Sequence, residues 1–582
     1  MKTLIVAINS KFIHSSLAVH YLKSVCDGQS GDVKVLEYTI NDQKNQVLAS
    51  IYSENAQVVA FSCYIWNYEY IKDIVTDLKA LMPQIKIILG GPEVSYSPAE
   101  AMNEIDGVDY IIAGEGEEVL PLLLKNIYHA KKNEEFTDIK GLAFRKYGKV
   151  FFDNSYNLVS DLDSIPSPYS DEMINNLGPN RILYYESSRG CPFSCSYCIS
   201  STFEGVRYFN MDRVRGDILK FVDRKVRQVK FVDRTFNCNN KRAYEVLEFV
   251  IQNAGDTNFH FEVAGDLFDE KMLNLLKNAP KGLIQFEIGI QTVNLQSLES
   301  ISRKTNLNKL FDNVKKLIDL GNIHIHVDLI AGLPMEDYDS FKNSFNSVYK
   351  LRPHQLQLGF LKLLKGSRIR NEAGAFQYVY KKRAPYEILS SVFLSYDEII
   401  RLKEIEELVE RYYNSGKFQR TLEYLMNESI KTPFEFFANL SSYWKANGLY
   451  DRSISSRELY TILINYLRET ASVDIHKANE LMKFDFLSTE STNNLPKEIS
   501  RCCSGINNDR IFAFLKNEEN IKKYLPHLEG MLPKNIFKHI HVELFLYDIT
   551  KKELSPDKTA ILYDYNLRDK VTNLFLYHKI YI

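Results

Sequence analysis

Cysteine is scarce: eight in 582 residues, too few for the disulfide framework of a small secreted fold. No apolar run approaches the roughly 18 residues of a membrane-crossing helix. The short apolar run in MKTLIVAINSKF cannot form a signal-peptide core and reads as a first strand. Charge of one sign is also missing. Lys+Arg (72) and Asp+Glu (74) leave a net charge of -2, so neither a nucleic-acid-seeking basic field nor an acidic tail is present. No tandem repeat or low-complexity tract occurs. These absences point to a soluble cytoplasmic enzyme, long enough for about three domains.

What is present begins with an alternation of strand and helix over residues 1–135. TLIVAI, VKVLEY, VVAFSCYI, IKIILGG and VDYIIAGEG are short, apolar and β-branched, and amphipathic pieces such as YEYIKDIVTDLKALM separate them. That pattern predicts a doubly wound, flavodoxin-like α/β domain with a parallel sheet covered on both faces. Ser62, Gly90, Gly91, Gly114 and Glu115 fall at the carboxyl ends of its strands, where open α/β sheets bind ligands. Residues 136–175 read as a linker: AFRKYGKVFF alternates around Tyr147-Gly148 like a hairpin, and DLDSIPSPYSDEM carries two prolines that break any element.

Over 176–370 the rhythm resumes for six units, with strands at RILYYESS, QVKFVD, NFHFEVAG, LIQFEIGIQ, IHIHVDLIAGLP and HQLQLGFLKLL. Six βα units predict a partial (β/α)6 barrel with its chemistry at the carboxyl ends of the strands. Residues 371–582 read as a mainly helical domain that returns to strands at FLYDI and TAILYDYN.

Three of the eight cysteines crowd into SSRGCPFSCSYCISS: Cys191, Cys195 and Cys198, on the loop after the first barrel strand. Gly190 and Pro192 let that backbone curl so that thiolates converge. A zinc site would need a fourth ligand, and no other Cys or His lies within 35 residues on either side. A disulfide plus a spare thiol is a second reading. The third is an iron–sulfur cluster held by three thiolates, with one iron open to a small molecule.

CPFSCSYC resembles the Cys-x3-Cys-x-aromatic-Cys signature of the radical SAM superfamily, in which S-adenosylmethionine (SAM) chelates the open iron of a [4Fe–4S] cluster. The resemblance implies reductive cleavage of SAM to a 5′-deoxyadenosyl radical. It also implies an electron donor such as a flavodoxin or ferredoxin, and further cofactor contacts. Tyr197 is similar to the aromatic near the adenine. Asp233 in FVDRTFN stands where the chain approaches the methionyl group, unless it caps the following helix. Gln291 ends a fourth-strand motif, and Gly332 and Leu333 in DLIAGLP lie where the family's fifth strand meets the adenine.

The N-terminal domain, with SCYIW, GGPE and GEGE at its strand ends, resembles the cobalamin-binding domain of the cobalamin-dependent class. Ser62 is similar to that class's strand-end serine. Asp-x-His-x-x-Gly is missing, so no lower axial histidine is assigned; His14 is a possible neighbour of cobalt. The resemblance implies methyl transfer to an unactivated carbon or phosphorus centre of a small-molecule substrate. Its alternatives are a cyclisation or rearrangement with the same cofactors, or a non-catalytic cobalamin or iron–sulfur sensor. A tRNA methylthiotransferase is disfavoured by the missing N-terminal cysteine trio and the balanced charge. Cys26, Cys63 and Cys238 read as packing residues; the vicinal pair Cys502–Cys503 suggests either redox chemistry or, the favoured reading, an unremarkable helix or loop position. The C-terminal domain is expected to act as a lid that shapes substrate choice.

Overall fold

A computed structural model describes the chain except residues 1, 29, 129–135, 137, 179, 204, 429–431, 471–472, 493 and 502–504. Cys502 and Cys503 therefore lie outside the described residues.

The first sheet holds β1 (Lys2–Asn9), β2 (Asp32–Thr39), β3 (Val58–Ser62), β4 (Lys86–Gly90), β5 (Tyr110–Ile112), β6 (Leu142–Lys146) and β7 (Lys149–Phe151). Its order is β2-β1-β3-β4-β5-β6-β7, and the first five strands are parallel. This is the flavodoxin-like order. Strands such as β3, buried at every position, sit between two apolar layers, one on each face. The hairpin that reads as part of a linker extends this sheet: β6 runs antiparallel to β5, and β7 to β6.

The second sheet is built from β8 (Leu183–Tyr185), then, after the hairpin β9 (Ser188–Gly190) and β10 (Val206–Tyr208), from β11 (Gln228–Phe231), β12 (Asn258–Val263), β13 (Ile284–Gln291), β14 (His324–Ala331) and β15 (Gln355–Phe360). All six strands are parallel, in the order β15-β14-β13-β12-β11-β8. Among the described residues β8 and β15 do not pair, so the barrel is partial. Its strands differ physically from those of the first sheet. Along IQFEIGIQ burial alternates strictly: isoleucines and Phe286 pack under the helices, while the residues between them face a half-open lumen.

The C-terminal region adds the short ribbon β16 (Val379–Tyr380) and β17 (Ile388–Ser390), a set of helices, and an antiparallel sheet of β18 (Ile540–Phe545), β19 (Thr559–Arg568) and β20 (Phe575–Ile580). It is not a detached appendage. One apolar core runs from the barrel helices into it; Phe345 of the barrel meets both Phe434 and Phe437, and Tyr349 meets Tyr413. No described helix is long and apolar enough to cross a membrane.

Candidate functional site

Cys191, Cys195 and Cys198 lie on the loop that joins β9 to β10, above the end of β8. Gly190, at φ +99°, closes the base of that loop against the carbonyl of Gly205; a side chain there would strike backbone. Asp233, only 1% exposed, holds the loop's first strand from below. It accepts hydrogen bonds from Ser187 N (2.9 Å), Ser187 Oγ (2.7 Å) and Ser188 Oγ (2.5 Å). Burial raises its pKa, and these bonds partly oppose the shift. The helix that follows is capped by Asn239 instead. Asp233 thus supports the cysteine loop.

The loop is also pinned from the side. Ser201 Oγ donates to the carbonyls of Cys195 (2.9 Å) and Cys198 (2.6 Å), and Ser196 N bonds Ile301 O at 2.9 Å. Arg303, which sequence reading missed, reaches in with Nη1 3.9 Å from Cys195 Sγ and 3.3 Å from the Tyr197 hydroxyl, and its Nη2 holds the Gly289 carbonyl. Burial raises the Cys195 thiol, and the guanidinium pulls it back toward the thiolate, the form that binds metal. Cys191 Sγ stands 3.6 Å from Thr235 Oγ1. Cys238 is near: its Sγ is 3.5 Å from the Tyr208 hydroxyl, and burial raises its pKa, with the Cys191 thiol adding to the shift.

Among the described residues one trio of ligand-type side chains closes to within 4.8 Å, and it is Glu287, His326 and Asp328 rather than the thiols. A single zinc ion would need the thiols closer, because Zn–S bonds of about 2.3 Å put sulfurs about 4 Å apart. A multi-iron cluster, in which each thiolate takes its own iron, suits the wider spacing.

Gln291 occupies the left-handed region at φ +72°, beside a bulge in the β13–β14 pairing. Its side chain folds over Gly289, which has no Cβ to obstruct it. Its Oε1 is buried without a hydrogen-bond partner among the described residues. A left-handed backbone and an unpartnered acceptor among the described residues thus coincide at this strand end. Gly332 and Leu333 follow β14, and Leu333 is fully buried. The Gly332 carbonyl accepts from Tyr378 Oη at 2.9 Å, so the C-terminal region covers this turn directly. Glu336, four residues on, takes Thr292 Oγ1 (2.5 Å) and Ser344 Oγ (2.8 Å) and ties the ends of β13 and β14 together. Burial pushes it up to about 7.

On the first sheet, Ser62 ends β3 with its Oγ buried and unpartnered among the described residues. A Cβ on Gly90 would meet Ile112 only at ordinary van der Waals distance, 3.9 Å, whereas one on Gly91 (φ +104°) would lie 2.6 Å from Cys63 O. The close approach of these two loops therefore requires glycine. Above the same ends the Tyr64 and Trp66 rings stack at 4.4 Å, and Phe12, Ile13 and Trp66 expose apolar surface. Gly114 and Glu115 are placed differently: Glu115 N bonds Asn157 O, and the Glu115 carboxylate takes Val159 N and two bonds from Arg207. Burial would raise Glu115, but Arg207 and Arg189 bring it below the usual range. Glu115 ties the first domain to the barrel, and Gly114 pairs with Asn157 of the connecting segment. His14 turns to the barrel too, bonding the Tyr184 hydroxyl.

The strand ends of the two sheets meet. Tyr96, from the loop after β4, donates to Ile199 O of the cysteine loop at 3.3 Å and packs on Phe203. Glu93 of the same loop, 2% exposed, bonds Tyr386 and lies 3.4 Å from Lys365.

Beneath this junction the barrel lumen is polar, a feature that sequence reading also missed. Lys230, His260, Glu262, Glu287, His326 and Asp328 occupy its inward positions. Burial, with Glu287 and Asp328 adding repulsion, pushes Glu262 up to about 7. The signal was available as a polar residue at every second position of QVKF and NFHFEV and of the first five residues of HIHVDLIA.

Three families match in series: the B12 binding domain over residues 3–124, the radical SAM superfamily over 185–348, and a protein family of unknown function, DUF4080, over 374–563. The cobalamin-dependent radical SAM methyltransferase TokK of Streptomyces tokunonensis is 26% identical over 315 residues, 51% of this chain and 45% of TokK. This chain thus matches less than half the length of that relative. An uncharacterized methyltransferase of Pyrococcus horikoshii, PH0819, is 24% identical over 412 residues, 69% of this chain and 87% of that protein. Among solved structures, the cobalamin-dependent SAM radical enzyme OxsB with aqua-cobalamin bound shares the fold. Its TM-score is 0.59 at 15% identity, covering 84% of this chain and 79% of OxsB.

Proposed function

As this chain belongs to the cobalamin-dependent radical SAM superfamily, we propose that it is an enzyme that transfers a methyl group to an unactivated carbon or phosphorus centre of a small molecule. Its cofactors are a [4Fe–4S] cluster, SAM and cobalamin. In this reading Cys191, Cys195 and Cys198 would hold the cluster, with SAM beside it, and the ends of β1, β3 and β4 would hold the corrinoid. When bound, the cluster and SAM supply a radical able to take hydrogen from an unactivated carbon, and the corrinoid supplies a transferable methyl group.

The observation that carries this reading is the meeting of the two sets of strand ends, each with an orphaned buried polar atom: Ser62 Oγ on one side and Gln291 Oε1 on the other. The protein's own residues then position and shield. Asp233, Ser201 and Arg303 fix the thiolate loop; Tyr197, Gln291, Gly332 and Leu333 line the place where SAM would lie. Tyr64, Trp66, Gly90 and Gly91 offer an apolar, closely approachable platform to a corrin. Methyl transfer, rather than another radical outcome, is favoured by TokK and PH0819, both named methyltransferases. A flavodoxin or ferredoxin would deliver the electron. The C-terminal region roofs the turn at Gly332 through Tyr378 and acts on substrate choice from there.

The test is anaerobic purification with iron and cobalt analysis, followed by reduction with SAM present. The expected result is about four irons and one corrinoid per chain, formation of 5′-deoxyadenosine or other SAM cleavage products, and a product heavier by one CH₂. Cleavage with no gain in product mass would replace methyl transfer by cyclisation or rearrangement. Absence of any SAM cleavage would leave a sensor.

A further inference from the structure

We infer that the barrel lumen holds a divalent metal ion on Glu287, His326 and Asp328, apart from the thiolate loop and independent of either cofactor. His326 and Asp328 are two residues apart on β14 and so share a face. Glu287 of β13 stands directly opposite His326 in the register. One ligand atom from each closes to within 4.8 Å of the others, and bonds of about 2.0–2.2 Å put neighbouring ligand atoms about 3–4 Å apart. His326 Nε2 lies 3.0 Å from Asp328 Oδ1, yet neither atom has an aligned hydrogen-bond partner among the described residues. His326 is 7% exposed. The two form a close ion pair that is poorly aligned for a hydrogen bond, and an ion seated between them would take both atoms as ligands.

A second residue points the same way. His260, also 7% exposed, pairs its Nε2 with Glu287 Oε2 at 3.1 Å, out of hydrogen-bond alignment. The charge balance agrees. Lys230 Nζ lies 2.9 Å from Glu287 Oε2 and 3.8 Å from Glu262 Oε1, so it offsets one of the three lumen carboxylates and leaves the lumen acidic. Both Lys230 and His260 approach the same oxygen of Glu287, which leaves Oε1 for the ion. One imidazole and two carboxylates suit Mn²⁺, Fe²⁺ or Zn²⁺. Three protein donors leave positions open, as in sites where an ion also holds an oxygen of a second ligand.

The probe is Mn²⁺, which prefers oxygen and nitrogen donors to thiolates. The full-length holoprotein, oxidised so that its cluster is diamagnetic, is dialysed against Mn²⁺. The expected result is one Mn²⁺ per chain, with pulsed electron paramagnetic resonance showing coupling to imidazole nitrogen. Affinity should fall at least tenfold in His326→Gln and in Asp328→Asn, with iron and corrinoid contents unchanged. No bound Mn²⁺, a bound ion without nitrogen coupling, or undiminished affinity in both variants would each overturn the inference. The nitrogen coupling is read on the unaltered chain, so a variant that misfolds does not rescue the idea. Iron and cobalt contents are read in parallel, which separates this site's failure from that of the proposed function.

Discussion

Replacing Asp233 by Ala removes the acceptor of three buried donors, Ser187 N–H and the hydroxyls of Ser187 and Ser188. An unpaired buried donor costs about 1–3 kcal/mol. The hydroxyls can turn to other acceptors and the amide cannot, so the net cost is about 2–4 kcal/mol, concentrated at the base of the cysteine loop. That corresponds to about 30- to 1,000-fold in the equilibrium between an ordered and a loosened loop. After anaerobic reconstitution, Asp233→Ala should lose its cluster to an iron chelator at least about 30-fold faster than the unaltered protein and still carry corrinoid. Asp233→Asn keeps a carbonyl acceptor and should fall between the two. A cluster retained as tightly in Asp233→Ala as in the parent, with SAM affinity alone reduced, would refute the reasoning and make Asp233 a cofactor contact.

Glu336 has a pKa of about 7 in the folded chain against about 4.3 unfolded, so the folded chain binds its proton more tightly. The stability this confers is fully present below about pH 4.3 and is lost as pH rises through 7, with an upper bound of about 4 kcal/mol; Glu336→Gln should flatten that slope in urea midpoints between pH 5 and 8. Gly91→Val forces a Cβ against the Cys63 carbonyl and a β-branched residue into φ +104°, and purified protein should show little corrinoid absorbance while keeping its iron. Replacing Cys191, Cys195 and Cys198 together by Ala should abolish iron and spare corrinoid, whereas Cys238→Ala, which removes the thiol beside Tyr208, should leave iron content unchanged; iron loss in Cys238→Ala would make that thiol the fourth ligand.

The alternation of apolar strands and amphipathic helices made both parallel sheets legible, because buried strands must be apolar and crossovers must be long. The thiol spacing made the loop legible for the same local reason. The hairpin at Tyr147–Gly148 was visible, but its docking onto β5 is a long-range choice that no local pattern encodes. Arg303 lies 106 residues from the Tyr197 hydroxyl it meets, and nothing near it in the chain marks it. Asp233 was found for its position, yet its partners depend on which way a strand end faces. The lumen residues are the instructive omission. Barrel strands bury one face under helices and turn the other inward, so Lys230, His260 and Glu262 alternate with valine and phenylalanine. Reading those strands only for their rhythm with the helices left the alternation unread.

Glu93 sets a mechanical constraint. It roots the loop carrying Gly91 into the segment around Lys365 and Tyr386, and separating a buried ion pair of this kind costs several kcal/mol. The first domain therefore cannot rock away from the barrel without uncovering a carboxylate. The distance between the strand ends of the two sheets is accordingly fixed by the architecture, and in the proposed function substrates would enter by a route that leaves this joint shut.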